Sequence, residues 1–243
     1  MREKKRDTEG SVWIYGKHAT LAALRNPNRK VLRFVTLESC KDFCGECKSP
    51  TQEIVDKNFF NAIFGKEAIH QGCAVLVKKL REYFVEDLIE DESDMRPFVF
   101  LDHMSDPQNI GSVLRASAVF GARAVVVTEN NSPTLTPAII KAASGAVECV
   151  PFIRVINLVH TINNLKKRGF WCLGLDEKSD KKISEMTLDR KLIIVIGSEG
   201  EGMRRLTREA CDFLVHLHSF GNFSTLNAAQ AATVALYEVL RQS

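Results

Sequence analysis

No stretch of this 243-residue sequence approaches the roughly 18 consecutive apolar residues that a membrane-spanning helix needs. Nor does an apolar core follow the charged first ten residues, as a secretory signal would require, so a frayed basic tail over 1–10 and a cytoplasmic protein are expected. Charge of one sign is not in excess: 33 Lys and Arg against 30 Asp and Glu leave a net charge of +3. That permits a polyanionic partner without demanding one, because a total says nothing about clustering. With 45% apolar and 26% charged residues the composition is that of an ordinary globular protein, long enough for one large domain or two small ones.

The seven cysteines are an odd number and do not form the framework of a small secreted domain. Cys73, Cys149, Cys172 and Cys211 stand among apolar or mixed neighbours and read as buried thiols. Cys40, Cys44 and Cys47 fall close together, and three thiols so spaced are able to hold an iron–sulfur cluster. The repeated βα pattern of the barrels that use such a spacing is missing, however. A loop of free thiols is the plainer expectation, and no metal site is assigned.

The strongest local signal is Leu192-Ile193-Ile194-Val195-Ile196 running into Gly197-Ser198-Glu199-Gly200-Glu201-Gly202. Five apolar residues without polar alternation read as a strand buried on both faces. The glycines after it allow a tight turn and close approach of backbone to a ligand. In an open α/β sheet, ligands lie past the carboxyl ends of the strands, where this loop falls. Its glycine spacing is not the dinucleotide fingerprint, and no Gly-Lys-Ser/Thr follows, so neither a dinucleotide nor a nucleoside triphosphate loop is expected.

Around that stretch, residues 97–243 alternate strands and helices: strands near 98–101, 124–128, 149–155, 170–175, 192–196 and 213–217, and helices near 108–120, up to 143, 158–168 and 226–240. Such alternation predicts a parallel sheet covered on both faces. Residues 83–96 are acidic and end at Pro97, which marks a linker. Before it, 11–82 read as a small α/β unit, with a short helix ended by Asn26-Pro27, a strand over 31–37, a helix over 49–57 and a buried strand after His70-Gln71-Gly72.

Three junctions of the second unit are rich in polar residues. In the first, Asn109 stands at a helix start and Arg115 six residues on, within about 100–150° of rotation of it. The second is the glycine loop with Glu199 inside it. The third, Ser224-Thr225-Leu226-Asn227-Ala228-Ala229-Gln230-Ala231, leads into the last helix. Taken singly, each reads equally well as helix capping or an ordinary turn.

Taken in order, Asn-x-Gly-x-x-x-Arg at 109–115, Gly-x-Glu-Gly-x-Gly at 197–202 and Leu-Asn-x-x-x-Ala at 226–231 resemble the three motifs of the SpoU/TrmH family, RNA ribose 2′-O-methyltransferases of the SPOUT superfamily. Tyr15-Gly16-Lys17-His18-Ala19 and the 70–72 turn resemble that family's RNA-binding domain, and the two-domain arrangement is most like enzymes that methylate a guanosine of 23S rRNA. The resemblance implies an α/β fold: a SPOUT-type parallel sheet with a C-terminal trefoil knot, preceded by an L30e-like domain. It implies S-adenosyl-L-methionine as cofactor, structured RNA as partner (rRNA, with tRNA as the alternative), and a homodimer. The implied catalytic residues are Asn109, Arg115, Glu199, Thr225 and Asn227. The implied cofactor-binding residues are Thr128, Gly197, Ser198, Glu199, Gly200, Gly202, Leu217, Ser224, Leu226 and Ala231. RNA contacts fall to Arg115, Lys17, His18, His70 and Gln71. Where the family has Ser-Leu-Asn, this chain has Thr225-Leu226-Asn227, and Ala229 replaces a hydroxyl residue. A non-catalytic RNA-binding protein on the same fold and an iron–sulfur enzyme through Cys40, Cys44 and Cys47 are the competing expectations.

Overall fold

The computed structural model describes residues 10–44, 51–130, 132–221 and 225–242, so the expected tail over 1–10 falls almost wholly outside the described residues. Two sheets organise the chain. The first has the order β1-β4-β2-β3, built from β1 (Ser11–Tyr15), β2 (Val31–Thr36), β3 (Gln52–Ile54) and β4 (Cys73–Lys78). Strand β4 runs antiparallel to both β1 and β2, and β3 adds to the edge in parallel. Helices α1 (Lys17–Arg25) and α2 (Lys57–Phe64) complete this unit.

The helix expected over 49–57 is not found. The described part of that segment holds strand β3, and the helix begins at Lys57. The Asp56 side chain accepts from the Phe59 amide at 2.9 Å, so it starts α2 as an N-cap just where the expected helix was to end. Phe60, on the first turn of α2, is fully buried. Its aromatic neighbours Phe59, Phe64 and Trp13 meet largely edge to face, the arrangement that ring quadrupoles favour.

The second sheet is parallel throughout, in the order β10-β8-β9-β5-β6-β7. Its strands are β5 (Phe98–Leu101), β6 (Ala124–Thr128), β7 (Phe152–Val155), β8 (Trp171–Leu175), β9 (Leu192–Ile196) and β10 (Phe213–Val215). Every residue of β5, β6 and β9 is buried, as continuous apolar runs require in a sheet covered on both sides. One face carries α3 (Pro107–Val119), α4 (Pro137–Ala142) and α7 (Ala228–Gln242) over Val99, Leu101, Ile194 and Ile196. The other carries α5 (Leu158–Lys166) and α6 (Arg205–Ala210) over Phe98, Phe100, Ile193 and Val195.

The acidic segment between the units does not hang free. Arg123, almost fully buried, forms an ion pair with Asp94, donates to the Leu88 carbonyl at 2.9 Å, and lies 5.4 Å from the ring centres of both Phe98 and Phe170. The two units also share one core. Ile14, Ala23 and Phe34 of the first pack in the same apolar cluster as Ile139, Ala143 and Val147 of the second. Arg29 and Glu148 close that contact with a 2.6 Å ion pair whose side chains are each 3% exposed.

Candidate active site

Three chain segments meet at the carboxyl edge of the second sheet. Helix α3 starts there because Asp106 caps it, accepting from the Gln108 and Asn109 amides, with Pro107 at a position that needs no amide donor. Gly111, one turn on, lets the helix seat against α4. A Cβ there would stand 2.3 Å from the Ala142 Cβ and 2.8 Å from the Ala143 nitrogen.

The glycine loop leaves β9 and closes on itself. The Ser198 amide donates to the Gly202 carbonyl at 3.1 Å, and the Gly202 amide donates back to Ser198 at 3.0 Å. Gly197 is required by space: an added Cβ would lie 2.1 Å from the Gly202 carbonyl carbon and 2.3 Å from the Met203 nitrogen. Gly200 and Gly202 have φ of 88° and 70°, the left-handed region that glycine enters at little cost. Among the described residues, the amides of Glu199, Gly200 and Glu201 at the tip make no hydrogen bond.

One polar chain links the three segments. Asn227, ahead of α7, donates to the Asn109 side-chain oxygen at 2.8 Å, and the Asn109 amide donates to Glu199 Oε2 at 3.1 Å. Asn227 Oδ1 meanwhile accepts from the Ala229 amide at 2.8 Å, so this residue caps α7 and serves the site together. Arg115 is exposed, and among the described residues it has no hydrogen bond or ion pair. Thr225 is likewise exposed and without a hydrogen bond among them. These features suit a site that meets an anionic partner.

A family model described as the SpoU rRNA Methylase family matches residues 96–237, more than half of the chain. The chain belongs to the SpoU rRNA methylase family. A second model, described as RNA 2′-O ribose methyltransferase substrate binding, matches residues 13–83. The 23S rRNA (guanosine-2′-O-)-methyltransferase RlmB of Pseudomonas putida is 35% identical over 94% of this chain and 96% of its own length. The protein of the same name from Pseudomonas aeruginosa is 34% identical, over the same shares of each chain. Among solved structures, the SpoU methyltransferase AviRb of Streptomyces viridochromogenes, in complex with the cofactor AdoMet, superposes with a TM-score of 0.81 at 22% identity, covering 98% of this chain and 92% of that one. An AdoMet-bound rRNA methyltransferase of Sinorhizobium meliloti gives a TM-score of 0.77 at 19% identity, over 98% and 90% of the two chains.

The other expected residues of the SpoU-family site fall in several places. Leu217 is half-buried against the main core, Leu226 is exposed, and the Ala231 amide donates to the Asn227 carbonyl at 2.9 Å. Ser224 lies outside the described residues. Thr128 ends β6, two strands away from β9, and lines a separate groove. In the first unit, the two stretches singled out as RNA-contacting come together across 54 residues. The Lys17 amide donates to Gln71 Oε1 at 2.9 Å, and Lys17 and His18 are exposed beside it. His70 stacks on Phe60 with ring centres 4.2 Å apart and accepts from the Gly72 amide at 3.1 Å. Desolvation there, with help from Lys57, holds the His70 pKa below its usual value.

Among the cysteines, Cys149 is exposed rather than buried, because the short helical turn before β7 presents it outward. Cys73 and Cys172 are buried as expected. Cys40 packs against Gly72, while Cys47 and the Cys44 side chain lie outside the described residues. Among the described residues, no group of three potential metal ligands is found.

One residue pair was missed. Asp102, fully buried at the end of β5, accepts from the Arg204 amide and from its guanidinium, each at 2.8 Å. This clamp fixes the exit of the glycine loop. A charged residue ending a buried strand was its only sequence signal.

Proposed function

We propose that this chain transfers the methyl group of S-adenosylmethionine to a ribose 2′-hydroxyl, of a guanosine in 23S rRNA, and that it does so as a homodimer in the cytoplasm. The observation that carries this reading is the Asn227–Asn109–Glu199 chain, which joins the three motif segments beside Arg115, unpaired among the described residues. RlmB of Pseudomonas putida, aligned over nearly the whole of both chains, supports the substrate. An exposed apolar set on α3 and α7, made of Val119, Val234, Tyr237 and Leu240, supports the dimer. Because α3 carries Asn109 and Arg115, and Asn227 leads into α7, pairing through that face sets the site beside the interface.

We divide the chain into an RNA-selecting domain at 11–82, of L30e-like form, a linker at 83–96 and a methyltransferase domain at 97–243. A C-terminal trefoil knot accords with β10 lying outside β8 while the chain after it returns to pack α7 on α3 and the sheet.

The glycine loop suits an adenosine-bearing cofactor. Among the described residues its tip offers unbonded amides and no atom lies within 4 Å of an added Cβ at Gly200 or Gly202, while Gly197 leaves no room for a side chain. Gly197, Ser198, Gly200 and Gly202 would hold the cofactor by backbone, with Leu217, Leu226 and Ala231 along its apolar parts. When bound, the cofactor supplies an electrophilic methyl group on a sulfonium. The reaction is an in-line displacement, and alignment alone contributes on the order of 7–11 kcal/mol. Asn109 and Glu199 orient the ribose hydroxyl, and Thr225 and Asn227 hydrogen-bond the target nucleotide. Arg115 holds the RNA phosphate and stabilises the developing alkoxide. A guanidinium stays protonated, so it acts as a donor.

The test is methyl transfer to deproteinised 23S rRNA, read by mapping 2′-O-methyl positions. Wild type is expected to mark one guanosine, and Arg115→Ala to lose transfer while its calorimetric affinity for S-adenosylmethionine stays the same. Equal turnover by the variant would sink the assignment.

A further inference from the structure

On the opposite face of the same sheet edge, between α5 and α6, lies a groove of about 610 Å³. Thr128 and Thr207 line it and are both buried. Thr128 is satisfied, since its hydroxyl donates to the Asn130 carbonyl at 2.6 Å. Thr207 is not: its side chain is fully buried, and among the described residues its hydroxyl has no hydrogen-bond partner. A buried hydroxyl without a partner is costly, and such a group on a groove wall is free to meet a ligand.

The rest of the lining joins two kinds of chemistry. Arg204 and Arg205 supply positive charge, and Asn130 and Asn157 supply side-chain amides. Ile156 and Leu206 flank them and are 79% and 57% exposed. Arginine binds phosphate, amides read base edges, and apolar or aromatic surfaces take the face of an unstacked base. A free phosphate has no use for the apolar walls.

The groove shares chain segments with the site. Arg204 follows the glycine loop by two residues and is clamped to Asp102, and His103, also in the lining, lies on the segment that leads to Asn109. Among the described residues Arg205 pairs only with exposed Glu209 on its own helix, at 2.7 Å, and such surface pairs yield readily to a phosphate.

We infer that this groove takes one nucleotide of the RNA substrate that flanks the methylated one, an inference that rests on the RNA methyltransferase reading. Arg205 faces its phosphate, Thr207 and the amides hydrogen-bond it, and Ile156 and Leu206 take the base.

Arg205→Ala and Thr207→Val in the full chain test this, with deproteinised 23S rRNA as probe. Filter binding gives the RNA Kd, and methyl transfer gives KM and kcat. Each variant is expected to raise the RNA Kd and KM several-fold, about tenfold for Arg205→Ala, with kcat and the S-adenosylmethionine Kd within twofold of wild type. Arg205→Ala should also lower the slope of log Kd against log salt by about one, which Thr207→Val should not. If Thr207→Val melts early, Asn130→Ala takes its place. Unchanged RNA Kd and KM in the folded variants overturn the inference, and so does a selective loss of S-adenosylmethionine affinity, which would make the groove part of the cofactor site. If wild type binds the RNA without transferring methyl, the activity reading fails, and the groove is still judged by Kd.

Discussion

Asn227 donates its side-chain amide to Asn109 at 2.8 Å, across 118 residues of chain, and Asn109 passes its own amide on to Glu199. Removing the middle member takes the acceptor from the Asn227 side-chain amide and the donor from Glu199. Asn109→Ala is therefore expected to lower kcat on the order of a hundredfold, the cost of a small misplacement of reacting groups. Asn227→Ala should act through the same link. In a double-mutant cycle the two losses should fall short of additive by about 0.5–3 kcal/mol. Strict additivity would mean that the link plays no part in transfer.

The glycine loop makes a sharper contrast. At Gly197 the obstacle to a side chain is backbone, at 2.1 and 2.3 Å, which no rotamer change relieves. At Gly200 no atom of the described residues lies within 4 Å of an added Cβ, and the cost there is that of a positive φ, roughly 1–3 kcal/mol. Gly197→Ala is expected to abolish S-adenosylmethionine binding in calorimetry and to lower the melting temperature, whereas Gly200→Ala keeps measurable affinity. Wild-type affinity in Gly197→Ala would show that the loop is not the cofactor cradle.

Much of this was legible before the structure because it is local. The run Leu192–Ile196 is a buried strand with the expected bounds, since five successive apolar residues admit few other placements in a covered parallel sheet. Strands β5 and β6 were equally plain. Helix α2 was not, because Asp56 was taken for the interior of a helix when it was the cap of the next one. The order of the three motifs pointed to one site, but what joins them did not show. Hydrogen bonds among Asn109, Glu199 and Asn227, and the Asp102–Arg204 clamp, pair residues 90 to 118 positions apart, beyond the reach of any spacing rule. Nor could the sequence say that Thr128, at the end of β6, lies two strands away from β9, since strand order is not written in the linear chain.

The docking of the two units gives the last prediction. Arg29 holds Glu148 through Nε and Nη2, at 3.0 and 2.6 Å, and spends Nη1 on the Lys78 carbonyl at 2.9 Å. Asn26 adds a 2.8 Å bond to the same carboxylate. The end of the first sheet is thus tied to the turn before β7, with both charges withdrawn from water. Desolvation offsets most of the attraction in such a pair, so its intact form adds little net stability, but a lone buried charge is strongly unfavourable. Glu148→Gln keeps the shape and strands the Arg29 charge. It is expected to cost about 3–5 kcal/mol in urea denaturation. Replacing both partners, as in Arg29→Met with Glu148→Leu, should cost less than Glu148→Gln alone, because no unpaired charge remains. A loss under about 1 kcal/mol for Glu148→Gln, the range of exposed pairs, would mean that water reaches the contact and that the units are not locked there.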